Sequence, residues 1–151
     1  MALHEDIRLL STVPLFRGLN EDQLRLLTFG AERRALLAGM TLFREKSPAE
    51  CAYVIASGQI ELTTQGKNGK PRSEGVAGPG TLLSELALIT LVERKYTAQA
   101  IDDCEVIRIP RPLFQRLMEE YPDVAALVED RIRGNIQELV GELSKLRGVF
   151  G

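Results

Sequence analysis

The sequence predicts a mainly β fold with flanking helices: an antiparallel double-stranded β-helix, of the jelly-roll or β-roll kind, with N-terminal helices and a long C-terminal helix. Three observations carry this. Between about Ala35 and Pro110, short apolar runs are punctuated by Gly and Pro at close, regular spacing, the pattern of an antiparallel sandwich or barrel. On either side of that section the apolar residues return to helical spacing. The chain has 151 residues, 44% hydrophobic and 26% charged, enough to bury the core of one ordinary domain. The organisation is therefore a single domain over 1–151, with N-terminal helices in 1–34, the roll in 35–110 and C-terminal helices in 111–151.

The elements follow in order. Ile7, Leu9 and Leu10 precede a break at Val13-Pro14, and Leu15-Phe16 leads into Gly18. Asn20 reads as a helix N-cap, and Gln23 three residues later completes a capping-box pattern. Leu24, Leu26, Leu27 and Phe29 would give this helix its buried side. In the roll, Leu36-Leu37 is followed by a turn at Ala38-Gly39, and Thr41-Leu42-Phe43 by a polar loop from Glu45 to Glu50. Ala52 to Ile55 and Gln59 to Thr64 flank Ser57-Gly58, and Gly66-Lys67-Asn68-Gly69 reads as a hairpin turn. Gly75 and Gly78-Pro79-Gly80 close the next section, and Thr97 to Ile101 and Glu105 to Ile109 form two further strands.

After Pro110, Leu113, Phe114, Leu117 and Met118 share one helical face, and Tyr121-Pro122 interrupts it. Pro122 suits the start of a second helix, where its missing N–H costs little. Ile132, Ile136, Leu139, Leu143 and Leu146 then follow in steps of four and three, a heptad seam widened by Val128 and Val140. Such a seam can bury against its own roll or against a second copy of the chain. Gly134, Gly141 and Gly148 recur every seven residues off the seam, each costing about 1 kcal/mol of helix propensity against Ala. They serve either flexibility or close packing of another helix.

Composition excludes several function classes. The net charge is −2, with 19 basic against 21 acidic residues, so there is no electrostatic footprint for nucleic acid. The start, MALHEDIRLL, is acidic where a secretory signal is basic. The longest apolar stretch, Leu82 to Val92, is too short to span a bilayer, and a cytoplasmic location is the expectation. Cys51 and Cys104 lie far apart in strand-like contexts, as buried reduced thiols would. The one histidine, His4, sits in the N-terminal tail, which disfavours a Ser-His-Asp or Cys-His arrangement. No Cys/His cluster has metal-ligand spacing, and Gly66 to Lys70 lacks the frame of a phosphate-binding P-loop. No enzyme, metal site or cofactor is expected.

The chemistry is concentrated in Leu83-Ser84-Glu85-Leu86-Ala87-Leu88 and in Glu93-Arg94-Lys95-Tyr96-Thr97-Ala98. Gly78 and Gly80 lead into a short apolar helix starting around Ser84–Glu85, whose unpaired N–H groups can hold a phosphate. Arg94 can add a permanently charged, bidentate partner for the same anion. A carboxylate such as Glu85 repels phosphate but accepts a hydrogen bond from a sugar hydroxyl. Read alone, Glu85 and Arg94 could equally be a surface acid and base, and such pairs are more often structural.

This stretch resembles the phosphate-binding cassette of cyclic-nucleotide-binding domains, as in catabolite activator proteins and the regulatory subunit of protein kinase A. The family pattern runs Phe-Gly-Glu-Leu-Ala-Leu, a spacer, then Arg and small residues, and the Glu85-to-Arg94 spacing is similar without insertion or deletion. Val13-Pro14-Leu15-Phe16-Arg17-Gly18-Leu19, Ala38-Gly39 and Tyr53-Val54-Ile55-Ala56-Ser57-Gly58 also resemble family signals. The resemblance places the cassette at 82–98 and implies a sensor of cAMP or cGMP. Glu85 would take the ribose 2′-OH, Arg94 the cyclic phosphate, and backbone amides near Ser84, Leu86 and Lys95 the rest of the cradle. The sequence departs from the pattern at Ser84, where the family has Gly, at Lys95, where it has a small residue, and at Tyr96, where it has Ala or Thr.

In the related bacterial regulators the C-terminal helix forms a dimer, so the resemblance implies a homodimer through that helix, relaying to a protein effector. The related factors continue into a winged helix-turn-helix. Here the chain ends at Gly151, and residues 111–151 hold six basic and seven acidic side chains, so direct DNA binding is not expected. The alternative reading is a ligand-free roll acting as a protein–protein interaction module, with Lys95 and Tyr96 filling the pocket.

Overall fold

The computed structural model describes residues 2–134. The seam positions Ile136, Leu139, Val140, Leu143 and Leu146, with Gly141 and Gly148, lie outside the described residues. The described chain begins with α1 (Ala2–Ser11), a 3-10 turn η1 (Pro14–Phe16) and α2 (Glu21–Gly30). Strands β1 (Glu32–Leu36), β2 (Thr41–Phe43), β3 (Pro48–Ala49), β4 (Cys51–Ser57), β5 (Ile60–Gln65), β6 (Pro71–Ala77) and β7 (Leu82–Leu83) follow. After a second 3-10 turn, η2 (Glu85–Leu88), come β8 (Val92–Glu93), β9 (Thr97–Ala100), β10 (Cys104–Pro110) and α3 (Arg111–Glu120). A further helix, α4, runs over 122–134.

The predicted fold class holds: a mainly antiparallel β-roll with helices at both ends. Two four-stranded sheets, ordered β1-β10-β4-β7 and β2-β9-β5-β6, face one another, with a small β3-β8 pair beside them. Strand β4 shows why they wrap a core. Successive side chains leave a strand on opposite faces, so Cys51, Tyr53 and Ile55 enter the roll while Ala52 and Val54 face the helices. Both sets are buried, which is why β4 reads as a nearly unbroken apolar run.

Two cores result. The helix-side core gathers Leu10, Phe16, Leu24 and Leu27 with Phe114, Leu117, Val128 and Ile132. The roll interior is lined by Phe43, Tyr53, Ile55, Ile60 and Val106, and by small residues such as Ala98, Ala100 and Cys104. The seam residue Ile132 is thus buried within its own chain. Arg131 fastens α4 at the same place, donating through Nη1 to the carbonyls of Leu15 (3.1 Å) and Arg17.

The Asn20 capping box forms as predicted: Gln23 N–H donates to Asn20 Oδ1 at 2.9 Å, and Asn20 N–H donates to Gln23 Oε1 at 2.8 Å. Phe29 does not join the buried side and is 71% exposed. At about 100° per residue it stands roughly 200° around the helix from Leu27, which holds the inner face. Strand β1 begins at Glu32, inside the stretch read as helical. Its first four residues are exposed, so it carries no apolar alternation to reveal it, and only its backbone pairing with β10 makes it a strand. Cys51 and Cys104 are free buried thiols.

Candidate functional site

The cassette is built around one strained residue. Ser84 adopts φ 66°, ψ 47°, the left-handed region, which costs a residue bearing a Cβ about 1–2 kcal/mol. The short helix expected here is a single 3-10 turn, Glu85–Leu88. Ala87 and Leu88 are fully buried and anchor it, Leu88 in the helix-side core and the half-buried Leu86 packed against that core. Glu85 is half-buried at the first position of the turn and is engaged in a polar or ionic contact.

Arg94 is only 5% exposed. Its backbone is clamped beside the β3–β8 pair, with Arg94 N–H donating to Ser47 O at 2.8 Å and Lys46 N–H to Arg94 O at 2.7 Å. The guanidinium donates through Nη1 to Cys51 O at 2.8 Å and through Nη2 to Cys51 Sγ at 3.4 Å. It lies 4.4 Å from the Phe43 ring centroid and 5.5 Å from that of Tyr53, contacts worth about 0.5–2 kcal/mol each. Its Nε is buried without a hydrogen-bond partner, an arrangement costing about 1–3 kcal/mol. A charge-assisted bond and two ring faces hold this cation, and one of its donors remains unsatisfied.

Tyr96 links the two halves of the cassette. Its ring packs on Phe43 with centroids 5.7 Å apart. Burial pushes its hydroxyl pKa up, opposed by hydrogen bonds with Ser84 and by the Arg94 charge, while Glu85 pushes it further up. Ser84, Glu85 and Arg94 thus all bear on the electrostatics of one hydroxyl. Lys95 does not join them: its side chain is exposed.

Arg111, which the sequence reading did not single out, ties the cassette to the helices. Its Nε donates to Ala87 O at 2.8 Å and its Nη2 to Ala49 O at 2.6 Å. One side chain at the start of α3 thereby holds both η2 and β3, the strand that pairs with β8 just before Arg94. No spacing signal marks it, because its partners are carbonyl groups, which every residue has. Among the described residues no His/Cys/Asp/Glu group could hold a metal ion, and no helix is long and apolar enough to cross a membrane.

A family model for the cyclic nucleotide-binding domain matches residues 33–121. The chain belongs to that family. A solved cyclic nucleotide-binding-like protein from Brucella abortus is 48% identical, with a TM-score of 0.70 over 76% of this chain and 98% of that one. The co-crystal structure of the regulatory domain of Toxoplasma gondii PKA with cAMP is 27% identical, with a TM-score of 0.72 over 77% of this chain and 44% of that one. Among curated proteins, lysophospholipase NTE1 of Chaetomium globosum is 28% identical over 121 residues, 80% of this chain. The chain spans only 8% of that relative's length.

Proposed function

We propose that the chain is a non-catalytic sensor that binds cAMP or cGMP in the roll and relays occupancy through its C-terminal helix to a partner, as a homodimer. The observation that carries this reading is the backbone of Ser84. The family's cassette has Gly here, and this chain keeps a conformation that favours Gly although its residue pays for it. A cassette without a ligand to hold would have no reason to retain that strain. The cAMP complex of the Toxoplasma regulatory domain gives a precedent for the ligand class in a related roll.

Each residue then has a task. The N–H groups near Ser84, Leu86 and Lys95 face the cyclic phosphate, Arg94 supplies its counter-charge, and Glu85 accepts the ribose 2′-OH. To reach the phosphate, Arg94 shares or leaves the Cys51 carbonyl. Through Arg111, a shift of Ala87 is felt at the first turn of α3, and through Leu88 in the core that seats α4. A ligand moves this equilibrium only by as much as it prefers one arrangement.

Tyr96, packed on Phe43 within the cassette, favours a second reading, the ligand-free interaction module. Isothermal titration calorimetry with cAMP and with cGMP separates the two. The sensor reading expects saturable binding that weakens about 10- to 100-fold in Arg94→Ala, the loss of a hydrogen-bonded charge. No heat with either nucleotide, in protein shown to be folded, overturns it in favour of the module.

A further inference from the structure

A cleft of about 360 Å³ opens beside Arg94, and Ser84, Glu85, Leu86 and Lys95 do not line it. Its walls include Arg34, Arg94 and Arg108, with Ser47, Tyr53 and Glu50. Three guanidinium groups meeting in one cleft is a marked local excess in a chain whose net charge is −2. The facing acids are few: Glu50 in the wall, and Glu32 at the edge, where its one carboxylate serves both Arg34 (3.3 Å) and Arg108 (3.8 Å). Arg94 contributes the one buried side-chain nitrogen or oxygen without a hydrogen-bond partner among the described residues. We propose that this cleft is an anion site that takes a small phosphate-bearing ligand, held by Arg34, Arg94 and Arg108.

The chemistry favours phosphate. A tetrahedral dianion offers several acceptor oxygens in different directions and can engage three guanidinium forks at once. The volume suits a phosphate ion or a small phosphomonoester. Arg34 comes from β1 and Arg108 from β10, paired antiparallel strands in which Arg34 stands opposite Val106 and Arg108 opposite Glu32. The cleft shares Arg94 with the proposed nucleotide site, so the test works through Arg34 and Arg108, which that reading does not use.

The test uses the whole chain without nucleotide. Thermal midpoints and 31P line widths are measured with millimolar inorganic phosphate, and separately with glycerol 3-phosphate, against chloride at constant ionic strength. Wild type is compared with Arg34→Gln and Arg108→Gln, each referred to its own midpoint in chloride. The expected result is a saturable stabilisation and line broadening in wild type, weakened about tenfold or more in both variants. Tighter binding of glycerol 3-phosphate supports an organic ester as occupant, and equal binding supports free phosphate. Phosphate also stabilises proteins generally by exclusion from their surface. A shift of equal size in wild type and both variants, or no shift beyond chloride, overturns the proposal.

Discussion

The two faces of β4 meet two different interiors. On the helix side, Ala52 and Val54 pack against Leu, Phe and Ile side chains from α1, α2, α3 and α4. On the roll side, Tyr53 and Ile55 share their space with small residues such as Ala98 and Cys104, and close to a buried cation, Arg94. The first interior is filled as a core that stabilises a fold. The second includes small residues and buries a charge, a feature that stability alone does not select. On the proposed function, stability and ligand chemistry are divided between the faces of one strand, and Leu88 and Arg111 join them.

The sharpest way to break this contrast is to truncate one residue on each side. Leu117 is fully buried in the helix-side core, and Leu117→Ala should cost about 2–5 kcal/mol of unfolding free energy in urea. Arg94→Ala should cost about 1 kcal/mol or less, because losing the Cys51 bond and ring contacts is offset by removing an unsatisfied buried donor. Equal losses would mean that the roll interior is a structural core and Arg94 part of its packing.

Gly58 tests the frame that holds the roll. It has φ 82°, and a Cβ there would lie 2.6 Å from both Asp103 O and Cys104 Sγ. Gly58→Ala combines left-handed strain with a clash against backbone, and should cost about 2–3 kcal/mol by the same measurement. A loss below 1 kcal/mol would show that the β4–β5 corner yields, and that the roll is softer than the helix side in its backbone as well as its packing.

Much of this was legible in the sequence. The capping box at Asn20 and Gln23 and the strands around β4, β5, β9 and β10 follow from local patterns, because each is fixed by neighbours in the chain. The edge strand β1 was not legible, since pairing with β10 supplies what its exposed Glu32-Arg33-Arg34-Ala35 lacks in apolar alternation. At the site, Ser84, Glu85 and Arg94 could be named from their resemblance to the family's cassette. That Arg94 turns onto Cys51 and Phe43, and meets Arg34 and Arg108, depends on which strands lie side by side. Those contacts join residues distant in the chain, and no local period records them.

Ser84 offers the smallest effect. Ser84→Gly relieves the left-handed strain, but glycine costs more backbone entropy on folding. These terms leave a net stabilisation of about 0.5–1 kcal/mol. Tyr96 should contribute to the alkaline behaviour of the fold. Burial raises the folded Tyr96 pKa above its ordinary value near 10, so the unfolded chain releases this proton first as pH rises. The resulting stability is fully present below about pH 10 and is lost as pH climbs through the folded pKa. Urea titrations from pH 8 to 11 should therefore show an alkaline decline that is shallower in Tyr96→Phe than in wild type. An unchanged slope would place the alkaline response elsewhere, at the buried Tyr53 hydroxyl or the Cys104 thiol, both of which burial also pushes up. A shallower decline in Tyr96→Phe would locate a titrating group in the roll interior, against which Tyr96 packs.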